Sequence, residues 1–190
     1  MNLKFTHAIV ASVALAPLAA QAEGFSYSYL EAGYVEADID GVSRNADGFA
    51  IGGSVELTDQ VFMFASYGEL SLGPVDLETY RVGGGYAWPV SSKTDIFGTV
   101  SYVKAEADAF GLSGDDDGYG LGVGVRQRVG RQFELSAAIQ YVDLSDSGDD
   151  TSFGVAARWY FLDKLSLGLA VDVSDDVETY GASLRWDFGG

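Results

Sequence analysis

The feature that most limits what this chain can become is an alternation of apolar with small or polar residues. It holds for about nine residues at a time, the length of a strand rather than of a helix turn or two, and returns along most of the sequence. From Phe49 to Leu57 the odd positions are Phe49, Ile51, Gly53, Val55 and Leu57, against Ala50, Gly52, Ser54 and Glu56. The same pattern runs through 80–88, 119–128, 133–141, 153–161, 165–172 and 180–188. A period of two puts successive side chains on opposite faces of a strand, whereas a helix needs about 3.6. Three less regular runs, near Phe25 to Asp38, Val61 to Glu69 and Asp95 to Lys104, bring the expected total to ten strands, with eight as the alternative. A tilted strand crosses a bilayer in about 9–11 residues, so these lengths suit a membrane barrel.

Alternation alone also fits a soluble sandwich or a lipocalin-like barrel, whose apolar set faces a core. Here the apolar set ends in aromatics at both margins. Tyr34, Tyr80, Tyr102, Tyr119, Tyr141 and Tyr180 stand at one end, and Trp88, Phe133, Trp159, Phe161, Trp186 and Phe188 at the other. Two aromatic belts around an apolar band mark a lipid-facing surface. The start of the chain agrees. Lys4, the apolar run from Ala8 to Ala20 and the small-x-small triplet Ala20-Gln21-Ala22 read as a secretory signal over residues 1–22. Residues 23–190 are then one domain: a closed, antiparallel, all-β transmembrane barrel in the cell outer membrane. Connections of alternating length, short at Thr58 to Gln60, Gly130 to Gln132 and Leu162 to Lys164, lead to the same fold. The longer polar ones run from Asp40 to Asp47, Leu70 to Leu77, Ala105 to Gly118 and Leu144 to Ser152, with a short Ser174 to Val177.

Charge falls into three zones. The set of strand positions opposite the aromatics holds Arg81, Arg126, Arg128, Arg158 and Arg185 with Glu31, Glu56, Glu134, Asp172 and Asp187. Unpaired charge in a narrow lumen is costly, so this balance is expected to be an ion-paired filling. The turn side is near neutral, with Asp95 counted among its rim acids. Eighteen acids against Arg44 and Lys104 are expected on the loop side, which accounts for most of the net charge of −17. Such a rim repels nucleic acid. Ca²⁺ or Mg²⁺ is expected to associate weakly there, with Asp115, Asp116 and Asp117 as candidate ligands, since hard cations take oxygen donors.

No catalytic constellation stands out. The single histidine, His7, lies in the expected signal, and there is no cysteine, so histidine-dependent hydrolysis and His/Cys zinc sites are absent from residues 23–190. Ser43 to Ser54 begins like a calcium loop but has serines where the first and last ligands belong. Gly120-Leu121-Gly122-Val123-Gly124 lacks the strand-to-helix transition of a dinucleotide loop. The expectation is a protein without enzymatic activity and without a cofactor.

Two resemblances add to this. The ending Tyr180, Ala182, Leu184, Trp186, Phe188 resembles that of the small outer-membrane barrels of the OmpA-like and porin-like superfamily, although Gly189 and Gly190 follow it. More narrowly, FSYSYLEAGYVEADIDGVSRNADGF at Phe25 to Phe49 and YRVGGGY at Tyr80 to Tyr86 resemble segments of a xanthomonad family of small outer-membrane proteins, once described as activators of rice innate immunity. That resemblance implies an envelope protein linked to biofilm, motility or vesicles, with no known catalytic site; the immune-signalling role is not carried over. The resulting expectation is a monomeric barrel that serves envelope integrity or surface properties. Its partners would be outer-membrane lipid, lipopolysaccharide and the barrel assembly machinery. Surface recognition through acidic loops and a small-solute pore are the alternatives.

Overall fold

The computed structural model describes residues 25–109 and 112–189. Ten strands follow one another: β1 (Tyr29–Ile39), β2 (Ala46–Glu56), β3 (Val61–Leu72), β4 (Val75–Ser91), β5 (Thr94–Ala109), β6 (Leu112–Val129), β7 (Phe133–Leu144), β8 (Gly148–Leu162), β9 (Leu165–Val173) and β10 (Val177–Asp187). Each pairs antiparallel with its neighbour in sequence, and β1 pairs with β10, so the sheet closes on itself. Closure leaves no edge strand, which is what lets a sheet satisfy its backbone inside a bilayer. The expected signal lies outside the described residues.

Parity then divides the side chains. Leu30, Ile51, Val82, Val100, Leu121, Leu135, Val155, Leu169 and Leu184 are exposed on the outside although apolar. In water such a band would be a large liability; in lipid it is the required surface. Opposite them, the inner face is packed. Toward the loop end it is apolar: Val35, Ala37, Ile39, Ala46, Ala50, Leu70 and Val177 form one buried cluster, and Val103, Ala105, Val142 and Leu144 another.

The long polar loops expected on one side are mostly strand. β5 runs on to Ala109 and β6 begins at Leu112, so the stretch from Ala105 to Gly118 is largely a paired hairpin. The stretches Leu70 to Leu77 and Leu144 to Ser152 likewise reduce to tight turns at Gly73 (φ 64°) and Gly148 (φ 89°), in the left-handed region that glycine enters at little cost. Acidic composition suggested loops. Beyond the membrane, however, a ladder tolerates polar side chains on its outer face, and the strands continue past the tyrosine belt.

Candidate functional site

The inner face near the turn end gathers most of the charge. On β6, Arg126 is fully buried; on β7, Glu134 is 1% exposed. The two strands register Arg128 opposite Glu134, which leaves Arg126 one inward position farther along β6. Arg126 donates through Nε (3.1 Å) and Nη2 (2.7 Å) to Glu134 Oε1. Arg128 stands at 4.0 Å from Glu134 Oε2, and the Tyr160 hydroxyl donates to that same oxygen at 3.4 Å. Arg158 on β8 reaches across to Glu31 on β1, donating at 2.6 Å, and Ser183 Oγ donates to the same carboxylate oxygen at 2.5 Å. Arg185 donates to Asp187 at 2.9 Å, and its guanidinium lies 3.6 Å from the centroid of the Tyr29 ring. Charge-assisted bonds of this kind, between groups withdrawn from water, hold strands that are far apart in sequence.

Seven of the ten expected lumen residues therefore share one layer. Arg81 and Asp172 sit apart from it, and Arg81 donates to the Gln140 side chain. Glu56 departs from the expected pairing in another way. Its carboxylate accepts from the Tyr27 backbone N–H at 2.8 Å and from Ser28 Oγ at 3.4 Å. It thus fastens the residues that precede β1.

Those residues form a strap. Phe25, Ser26, Tyr27 and Ser28 are buried yet belong to no strand, where β1 was expected to begin at about Phe25. The Tyr27 ring stacks on Phe62 at 4.4 Å with 9° between planes, and its hydroxyl donates to Asp95 at 3.2 Å. Phe25 reaches the guanidinium of Arg126 at 4.4 Å and that of Arg128 at 5.3 Å. In the closed order β6 lies five strands from β1 in either direction, so the strap crosses the mouth from one wall to the opposite one.

Sequence reasoning missed this layer's aromatic half. Phe62 and Phe97 point inward and are buried, and Phe64 packs against Phe62. Inward glycines accommodate the rings: a methyl group at Gly85 would overlap the Phe62 ring, and one at Gly124 would overlap that of Phe97. Asp95 was expected on the turn-side rim but is 5% exposed and faces inward. Its parity with Phe97, Ser101 and Val103 was the available signal.

The candidate cation ligands do not converge. Asp115 and Asp117 lie on one face of β6, and Asp116 on the other, as alternation requires. Asp116 is engaged by the Asp146 N–H at 3.1 Å, and Asp115 approaches Lys104 at 3.6 Å. Among the described residues no group of three acids is placed to hold a metal ion. Asp115, Asp116 and Asp117 are thus not brought together on one face of the strand.

Closed antiparallel topology, a lipid-facing apolar band and inward charges define an outer-membrane β-barrel. The chain matches the family model "Outer membrane protein beta-barrel domain" over residues 8–161 and belongs to that family. Among solved structures it is similar to the KdgM porin, with 12% identity over 84% of this chain and 99% of that one and a TM-score of 0.50. It is also similar to Ail, the attachment invasion locus protein of Yersinia pestis (16% identity, 83% and 94% coverage, TM-score 0.37). A third is the Neisserial surface protein A (14% identity, 84% and 95% coverage, TM-score 0.41). No curated protein matches the chain. At these identities the likenesses concern the fold.

Proposed function

We propose that this protein is a closed, non-enzymatic barrel that serves the outer membrane as a structural and surface element rather than as a channel. One observation carries the reading: the turn-side layer in which Arg126, Arg185, Glu31 and Glu134 are all but inaccessible, backed by the strap. A water-filled passage would leave such groups exposed. The partners in this reading are outer-membrane lipid, lipopolysaccharide and the barrel assembly machinery, and the barrel acts as a monomer. Divalent cations bridging single outer carboxylates to lipopolysaccharide phosphates belong to the same reading. So does closeness to the xanthomonad family, with its biofilm, motility or vesicle link; the FSYSYLEAGY and YRVGGGY segments support it.

Proteoliposome swelling tests the closed state. Vesicles carrying the protein should swell in arabinose no faster than protein-free vesicles. Swelling at rates set by sugar size would establish a pore instead.

A further inference from the structure

The strap covers only part of the turn-side mouth. Beside it lies a cleft of about 770 Å³, lined by the turns after β6 and β8 and by Arg128, Tyr160, Asp187 and Gly189. Three cations line it, Arg128, Arg131 and Lys164, against Asp163 and Asp187. Asp187 is already held by Arg185 at 2.9 Å.

Arg128 is the informative residue. Glu134 serves two guanidiniums but bonds well to one: Arg126 donates to Oε1 twice, while Arg128 stays 4.0 Å from Oε2. Arg128 therefore shares its carboxylate with a guanidinium that is bonded more closely. Its guanidinium lies 5.3 Å from the Phe25 ring and 5.7 Å from the Tyr160 ring. Two aromatic rings beside a guanidinium restrict its movement, and a cation so placed suits a phosphate or carboxylate. The side chain is 23% exposed, in contrast to Arg126.

The other wall of the cleft is apolar. Phe133 and Phe161, of the outward, lipid-facing set, line it together with the exposed Leu162 at the following turn. Basic floor and apolar flank meet at the level where the turn-side aromatic belt touches the headgroups. We propose that this cleft binds the phosphate group of a phospholipid from the periplasmic leaflet, with the part-exposed Arg128 guanidinium as its principal cation and Arg131 and Lys164 completing the positive rim.

Calorimetric titration of the purified, folded protein in a phosphate-free glucoside detergent tests this. The probes are a short-chain phosphatidylglycerol, the diacylglycerol of the same chain length, and inorganic phosphate, all at matched ionic strength in NaCl. The phospholipid should bind saturably and the diacylglycerol should not. Arg128→Lys keeps the charge but loses the planar guanidinium held beside the Phe25 and Tyr160 rings, and should weaken binding about tenfold. The rim double variant Arg131→Gln/Lys164→Gln, at exposed turn positions, should weaken it as well. Lys93→Gln, in a turn outside the cleft, should bind as the parent does. If inorganic phosphate binds as tightly as the phospholipid with the same dependence on Arg128, the lipid source is overturned in favour of free phosphate. Absence of saturable binding, or equal binding by the Arg128→Lys and Lys93→Gln variants, overturns the site.

Discussion

Glu134 shows how a single buried carboxylate governs its surroundings. It neutralises the fully buried Arg126, approaches the part-exposed Arg128 and accepts from Tyr160. Removing one partner of a buried pair costs more than the pair contributes, because the remaining charge keeps its desolvation penalty. Glu134→Gln should therefore lower the unfolding free energy by about 3–5 kcal/mol, the scale for breaking a buried ion pair. Urea titration of the barrel in lipid vesicles, followed by tryptophan fluorescence, measures it. A further Arg126→Met replacement should recover much of the loss. A loss in the single variant below about 1 kcal/mol, as for an exposed pair, would contradict the account. Arg126, Arg158, Glu31 and Glu134 were legible in the sequence as inward charges because their parity opposes an apolar set. Their partners were not. Arg158 meets Glu31 across 127 positions of sequence, and only the closed register brings them together.

At the scale of elements, the cleanly alternating strands were readable, whereas β3 and β5 hid their inner face. On β3 both sets are apolar, with Val61 and Met63 outward and Phe62 and Phe64 inward, so parity gave no contrast. The same ambiguity concealed the strap, since Phe25 and Tyr27 read as the continuation of β1. Replacing both by Ala should leave the strand content by circular dichroism unchanged. It should nonetheless destabilise the barrel by several kcal/mol, about 3–5 for each large aromatic lost from a packed site and less where the site relaxes. Unchanged stability would mean that the strap merely rests on the mouth.

The outer hairpins carry another element-scale consequence. Glu69 registers with Glu78, Glu78 with Glu106 and Glu106 with Asp115, a row of four carboxylates across β3 to β6. Tyr67 donates to Glu69 at 3.0 Å and Lys104 to Glu106 at 2.6 Å, which relieves only part of the repulsion. Like charges directly opposite one another destabilise a sheet by roughly 0.2–1 kcal/mol per pair. Glu78→Gln, which removes two such contacts, should raise thermal stability at low ionic strength. The gain should fade as NaCl screens the row. A gain of the same size at high salt would point to a cause other than charge.

For the molecule as a whole, the aromatic belts and the alternation made the barrel legible, because lipid imposes a two-faced strand wherever it is crossed. The filling was only half legible. Charge balance announced paired groups, but nothing in it showed that Gly85 and Gly124 receive the rings of Phe62 and Phe97. The ionic layer, the aromatic layer, the strap and the loop-side apolar clusters are what the proposed closed barrel rests on. Planar-bilayer recording in molar potassium chloride at neutral pH tests that claim most directly. The closed barrel should insert without producing steady current steps above the bare membrane, whereas large, long-lived and reproducible steps from the same purified protein would show an open lumen and contradict the account.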